Sequence, residues 1–322
     1  MSAIEVSIKE LQQYSYQTNS VLASKTLARA RLAGGHLSPI KGRGMEFSEC
    51  RQYQPGDDIR SIDWRITART GKTYSKLFSE EKERPVYILL DLSSSMYFGS
   101  QYRLKSVQAC HLTALLAWAT KHKSDRVGGI IIGAFGHKEL KPQRQQRGIM
   151  QLLSETVTLH NAQLTMSQAE RINAADATHV NTVNTVPKES LASALTRLRI
   201  LCKTGSHIMI ISDFLNLDDK AQKQLALLKR HNEIEAWQIY DPLELSLPNI
   251  SGNVRLAVSN GQQQGFISPS NADSRQKYQQ HADAKQQALR QVMNRYGIRH
   301  HRISSGESLL SQIKDKSKGK GK

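Results

Sequence analysis

Val86-Tyr87-Ile88-Leu89-Leu90-Asp91-Leu92-Ser93-Ser94-Ser95-Met96 is the stretch that decides the reading of this chain. Five apolar residues run into a polar, turn-prone cluster, the pattern of a buried strand and the loop after it. On such a loop Asp91, Ser93 and Ser95 set one carboxylate and two hydroxyls close together. These are hard oxygen donors of the kind that suit Mg²⁺ or Mn²⁺. None is a strong base or an activated nucleophile, so the spacing points to an ion held for binding, with no chemistry attached.

Working outward, strand-like and helix-like segments alternate. Leu104, Val107, Cys110, Ala114 and Trp118 recur at three- and four-residue spacing, which predicts an amphipathic helix. Apolar strand segments are expected over 127–135, 207–212, 234–240 and 298–304. Helices are expected around Ile149 to Val157, from Pro187 through Leu198, across Ala221 to Leu228 with Asn216 or Asp218 as cap, and over 271–296. This alternation predicts an α/β fold, a mostly parallel sheet with helices on both faces. Ligands of such sheets sit beyond the carboxyl ends of the strands. Asp213 ends a strand as Asp91 does, and it joins Asp91, Ser93 and Ser95 as a candidate metal ligand.

The N-terminal third reads differently. Residues 1–40 are expected as a polar helical segment and 41–84 as a small β-rich module, with short strands over 61–67 and 73–79 joined at Gly71-Lys72. The α/β domain is assigned to 85–313, with an insertion at 245–270 holding a short hairpin, and the basic tail 314–322 is expected to be disordered. In the module, Pro55-Gly56 suits the centre of a type II turn. Asp57, Asp58 and Asp63 interleave with Arg51, Arg60, Arg65 and Arg69. Planar guanidinium forks pair with carboxylates, so these residues are expected to pin the module to the α/β domain. The competing reading is a docking face for a partner. Trp64 is expected as a packing anchor.

Composition bounds the function. Lys and Arg number 45 against 28 Asp and Glu, a formal charge of +17, which favours acidic partners without choosing among them. No nucleic-acid-reading motif accompanies that charge, so specific nucleic-acid binding stands only as a second alternative. The three cysteines, Cys50, Cys110 and Cys202, are widely spaced and form no Cys-x-x-Cys pair, against a disulfide framework or zinc ribbon. No apolar run approaches the ~20 residues of a spanning helix, and the start of the chain does not resemble a signal peptide. A cytoplasmic protein without a transmembrane segment is expected. His300 and His301 are adjacent on an expected strand and point to opposite faces, and no phosphate-binding Gly-rich loop with Lys is present. A metal-dependent phosphoryl hydrolase using Asp91 is the first alternative, but such an enzyme wants an acid where Ser93 stands.

The motifs also carry a resemblance. Asp91 to Met96 is similar to the metal-ion-dependent adhesion site of von Willebrand factor type A domains. Arg51-Gln52-Tyr53-Gln54-Pro55-Gly56-Asp57-Asp58-Ile59-Arg60-Ser61-Ile62-Asp63-Trp64, followed by Ala68-Arg69 and Glu80-Glu81, resembles the signature of the DUF58 family. Asp125-Arg126-Val127-Gly128 and Asp241-Pro242-Leu243-Glu244 look like later landmarks. The likeness runs from about Gly42 to Ile313. It implies a von Willebrand A-like α/β domain and a non-enzymatic interaction module. It also implies a MoxR-type AAA+ ATPase as companion, with other von Willebrand A proteins as further partners, in assembly, maturation or chaperone-like work. Sites of this type add a Thr before a later helix. Here Glu189 or Ser190 falls at that place, and a Glu would add charge and make the ion less electrophilic.

Overall fold

The computed structural model describes residues 2–22, 45–80, 85–120, 126–134, 136–176, 190–250, 256–259 and 264–318. The chain divides into two compact units, one made of Met1–Ala28 and Arg84–Lys322, the other of Arg29–Glu83.

The larger unit is a mixed α/β fold built on a six-stranded sheet. Its strands are β3 (Pro85–Leu92), β4 (Arg126–Gly133), β5 (Gly136–Arg144), β6 (His207–Ser212), β7 (Glu233–Tyr240) and β10 (Arg299–Ser304). They lie in the order β10-β7-β6-β3-β4-β5, and only the edge pair β4–β5 is antiparallel. This is the α/β arrangement implied by the resemblance to von Willebrand A domains. The central strands are buried on both faces. Val86, Ile88 and Leu90 enter one core with α3 (Lys105–Thr120), while Tyr87 and Leu89 enter a second with α5 (Leu191–Leu201) and α6 (Asp219–Lys229). A strand covered twice has no polar face, which is why β3 and β6 read as continuous apolar runs.

The first core also takes in the N-terminal helix, α1 (Ile8–Leu22). Leu11 and Tyr14 are buried in it, and the Trp118 indole N–H donates to the Leu11 carbonyl at 3.2 Å. The long helix α4 (Gln145–Asp176) contributes Ile149, Leu152 and Leu153 to the same core. Helix α9 (Leu309–Lys318) extends into the stretch 314–322 that was expected to be disordered. Leu309 and Ile313 are buried in the core and tether its start, which gives the following turns a helix to continue. Helix α8 (Ala272–Arg295) is capped by Asn271, whose side chain accepts from the Asp273 N–H. The expected insertion contains a hairpin of β8 (Leu256–Ser259) and β9 (Gln264–Ile267). The expected helix opening at Pro187 lies outside the described residues, and α5 begins after Ser190.

The smaller unit holds an antiparallel pair, β1 (Met45–Gln52) and β2 (Tyr74–Glu80), and a short helix, α2 (Trp64–Thr70). Here the expected strand over 61–67 is wrong. Residues Ile59–Ser61 form a 3₁₀ turn and Trp64 opens a helix. Ile62, Trp64 and Ile66 alternate as in a strand, but the Asp63 carboxylate accepts from the N–H groups of Arg65 and Ile66, and Gly71 ends the helix at φ 69°. A cap at each end outweighs a two-residue alternation over so short a stretch.

Candidate metal-binding site at the strand ends

Two adjacent parallel strands deliver the candidate ligands. Asp91 is the penultimate residue of β3, and β6 ends in Ser212 just before Asp213. Asp91 and Asp213 are both buried, with 3% and 4% exposure, and Ser93 is buried beside them. The Asp91 carboxylate accepts from the Ser93 N–H at 2.9 Å through Oδ1 and from the Ser212 hydroxyl at 2.6 Å through Oδ2. Ser93 and Ser95 place their Oγ atoms 3.2 Å apart. The four residues singled out by spacing therefore lie at the carboxyl ends of two neighbouring strands, Asp91 among the last paired residues of β3 and the others on the loops beyond.

Ser212 was not among them. It donates to Asp91 and accepts from the Phe214 N–H at 3.0 Å, so it couples the two loops. Phe214 has φ 57°, the only positive φ found outside glycine among the described residues. A bulky residue in that region is strained, and the Ser212 contact helps to hold the bend that turns Asp213 into the site. The signal for Ser212 was its place beside Asp213 at a strand end.

Electrostatics separate the two carboxylates. Burial pushes the Asp91 carboxyl up to about 6, and the negative charge of Asp213 adds to that effect against the hydrogen bonds from Ser212 and Ser93. Asp213 has a cationic partner. The Lys105 ammonium, 0% exposed, donates to Asp213 Oδ2 at 2.9 Å and to Glu244 Oε1 at 2.5 Å. Burial opposes the charge on Lys105, but Asp213 and Glu244 more than offset this and raise its pKa. Asp213 Oδ1 accepts from the Leu215 N–H at 3.1 Å.

Glu244 comes from α7 (Pro242–Leu245), capped by Asp241 in a reciprocal box. Asp241 is buried and also accepts from the Ser100 N–H and hydroxyl and from the Ser305 hydroxyl. Spacing did not reveal Lys105 or Glu244. Ser190, named as a substitute ligand, is exposed and serves as the N-cap of α5, accepting from the Ser193 N–H. Glu189 lies outside the described residues.

The donor set pairs two hydroxyls with two carboxylates, and among the described residues no three His, Cys, Asp or Glu side chains gather into a metal-binding group. Two buried carboxylates here feel each other while one ammonium serves Asp213 and Glu244. Such a set of hard oxygens with negative charge to spare fits a hard divalent cation. Exposed apolar side chains, Phe98, Tyr102 and Leu215, occupy the loops that follow Asp91 and Asp213.

The signature residues divide by charge. Asp57 pairs with Arg51 at 2.7 Å and accepts from the Gln54 N–H, while the Tyr53 hydroxyl donates to its carbonyl. Gly56 has φ 104° and the Asp57 N–H donates to the Gln54 carbonyl, so Pro55-Gly56 forms the expected turn. Asp58 caps the 3₁₀ turn, and Asp63 caps α2 and pairs with Lys76 at 3.5 Å. The described partners of all three aspartates lie in their own unit. Arg60, Arg65 and Arg69 are exposed. Trp64, expected as a packing anchor, is instead 67% exposed, because the first position of a two-turn helix leaves it facing solvent.

Residues 49–288 match the family model described as "Protein of unknown function DUF58". A Mycobacterium tuberculosis protein, Rv1480, is 29% identical over 230 residues, and the match spans 71% of this chain and 66% of that protein's length. YeaD of Bacillus subtilis is 28% identical over 87 residues, 27% of this chain and 20% of YeaD. Among solved structures, BatB from Bacteroides thetaiotaomicron superimposes with a TM-score of 0.40 at 14% identity, over 73% of this chain and 96% of BatB. No helix among the described residues is long and apolar enough to cross a membrane.

Proposed function

This chain belongs to the DUF58 family, and we propose that it is a non-enzymatic protein-interaction module whose contact face is organised by a divalent cation at the ends of β3 and β6. One observation carries the reading: a pair of neighbouring hydroxyls on a loop with two buried carboxylates, of which Asp213 alone has a cationic side-chain partner among the described residues. Ser93, Ser95, Asp91 and Asp213 would hold Mg²⁺ or Mn²⁺. When bound, the ion would offer an acidic partner residue a coordination position. Ser212 fixes Asp91, Phe214 bends the following loop, and exposed Phe98, Tyr102 and Leu215 would give a partner apolar contact around the polar centre.

The partner we propose is the one the resemblance implies, a MoxR-type AAA+ ATPase, in assembly, maturation or chaperone-like work. The signature unit would supply a second contact. Its aspartates are engaged in caps and local pairs, whereas Arg60, Arg65, Arg69 and Trp64 face outward, and Arg and Trp are the residue types enriched at binding hot spots.

Two measurements test this. Electron paramagnetic resonance of Mn²⁺ should show one saturable site in the wild type, weakened at least about tenfold in Asp91→Ala, as expected when one charged ligand is lost. Absence of saturable Mn²⁺ binding would remove the metal from the mechanism. Calorimetry with the companion ATPase should show affinity that falls on chelation and in Trp64→Ala, with an unchanged melting temperature for that variant because the side chain packs against little. Equal affinity in all conditions would reject both contact faces.

A further inference from the structure

Lys105 is the feature that neither the sequence motifs nor the family description accounts for. It opens α3, the helix that follows the Asp91 loop in sequence, its side chain is wholly removed from solvent, and its ammonium lies 2.9 Å from an oxygen of Asp213. Lysine is almost never fully buried unless it is paired. Here the pairing is double, with Glu244 as the second anion. Glu244 is itself fixed, since its other carboxylate oxygen accepts from the Asp241 N–H at 3.0 Å and Asp241 is held by Ser100 and Ser305. The positive charge is thus a built part of the site.

A second cation drawn to Asp213 would meet that ammonium at close range, where low-dielectric surroundings leave the repulsion little screened. Building on the metal-site reading above, we infer that Lys105 is an internal counter-cation that competes for Asp213 and holds the divalent affinity of the site down, and that Glu244 tunes the competition by drawing the ammonium towards α7. With Glu244 present, the ammonium shares its attraction between two carboxylates. Without it, the whole of that attraction falls on Asp213. A site restrained in this way would take up its ion firmly only when a partner's carboxylate adds negative charge, so occupancy and partner binding would rise together.

The two residues therefore predict opposite shifts in Mn²⁺ affinity, measured by electron paramagnetic resonance on the full chain. Lys105→Met should bind Mn²⁺ at least about tenfold more tightly, the change expected for loss of one adjacent like charge. Glu244→Gln should bind it several-fold more weakly. In the Lys105→Met background, Glu244→Gln should then have no further effect, because its influence passes through the lysine.

Unchanged affinity in both single variants, with Asp91→Ala still weakening binding, would overturn the role of Lys105 and leave the metal site standing. A further loss in the double variant would show Glu244 acting on the ion without the lysine, through its own charge or as a ligand, and would also overturn it. No saturable Mn²⁺ in the wild type or any variant would sink the site and the inference together. If Lys105→Met fails to fold, Glu244→Gln decides alone. Its side chain is partly exposed, and an affinity equal to or above wild type would reject the inference.

Discussion

His111 shows what a single side chain contributes away from the site. It lies on α3 with 0% exposure, and neither ring nitrogen has a hydrogen-bond partner among the described residues. Tyr14 meets it edge-on at 5.5 Å between ring centres. Burial, with the nearby positive charge of Arg103, pushes its pKa from 6.5 down to about 3. The folded state therefore keeps the ring neutral while the unfolded chain protonates it below pH 6.5, and stability falls as pH drops from 6.5 towards 3. Replacing His111 by Leu removes that difference. The urea stability of His111→Leu, measured across this range, should decline with acid less steeply than wild type, by up to about 1.4 kcal/mol per pH unit. Identical slopes would show that the ring is hydrated or paired in solution. The same scale explains what could be read in advance at the site. Asp91, Ser93, Ser95 and Asp213 stand at or just beyond strand ends, where position alone marks them as candidates. Lys105 meets its partners across 108 and 139 residues, and a lysine at the start of a helix looks like any solvent-facing one.

Among elements, β3 and β4 depend on how closely their backbones run. Gly129 lies opposite Ile88 in the parallel ladder, and a Cβ there would press on the Ile88 carbonyl oxygen. The neighbouring Gly128 faces backbone atoms of Leu140 and Pro142 in the same way, where β5 shifts register. Neither contact can be relieved by rotating a side chain. Gly129→Ala should therefore cost about 3 kcal/mol in chemical denaturation, towards the upper end for an overpacked core, with the denaturant slope unchanged. A loss below about 0.5 kcal/mol, the range of a neutral surface change, would mean that the two strands separate easily. Legibility at this scale followed burial. Doubly covered β3 and β6 are apolar throughout, whereas β5 (Gly136–Arg144) buries only Leu140 at the sheet edge and carries no pattern to find. In α2, short-range alternation pointed to a strand, and two local caps decided for helix.

Across the whole molecule, the larger unit is assembled from two stretches separated in sequence by the smaller one. Its first stretch is structural: Leu11 is fully buried with α3, and Val6 accepts from and donates to Asn161 on α4 through its backbone. Leu11→Ala should accordingly lower stability by about 2–5 kcal/mol, the range for a large-to-small change in a packed core. Thermal unfolding should show it as a lower midpoint of the cooperative transition, and an unshifted midpoint would make α1 an ornament on the sheet. The layout also imposes an order on synthesis. The indole that anchors α1 is encoded 107 residues after the carbonyl it reaches. At ordinary translation speeds the nascent helix waits on the order of 5–20 s before that residue is even polymerised. During that interval its apolar stripe has no native seat, so the growing polypeptide must keep this helix from aggregating until the stretch through Trp118 has been made.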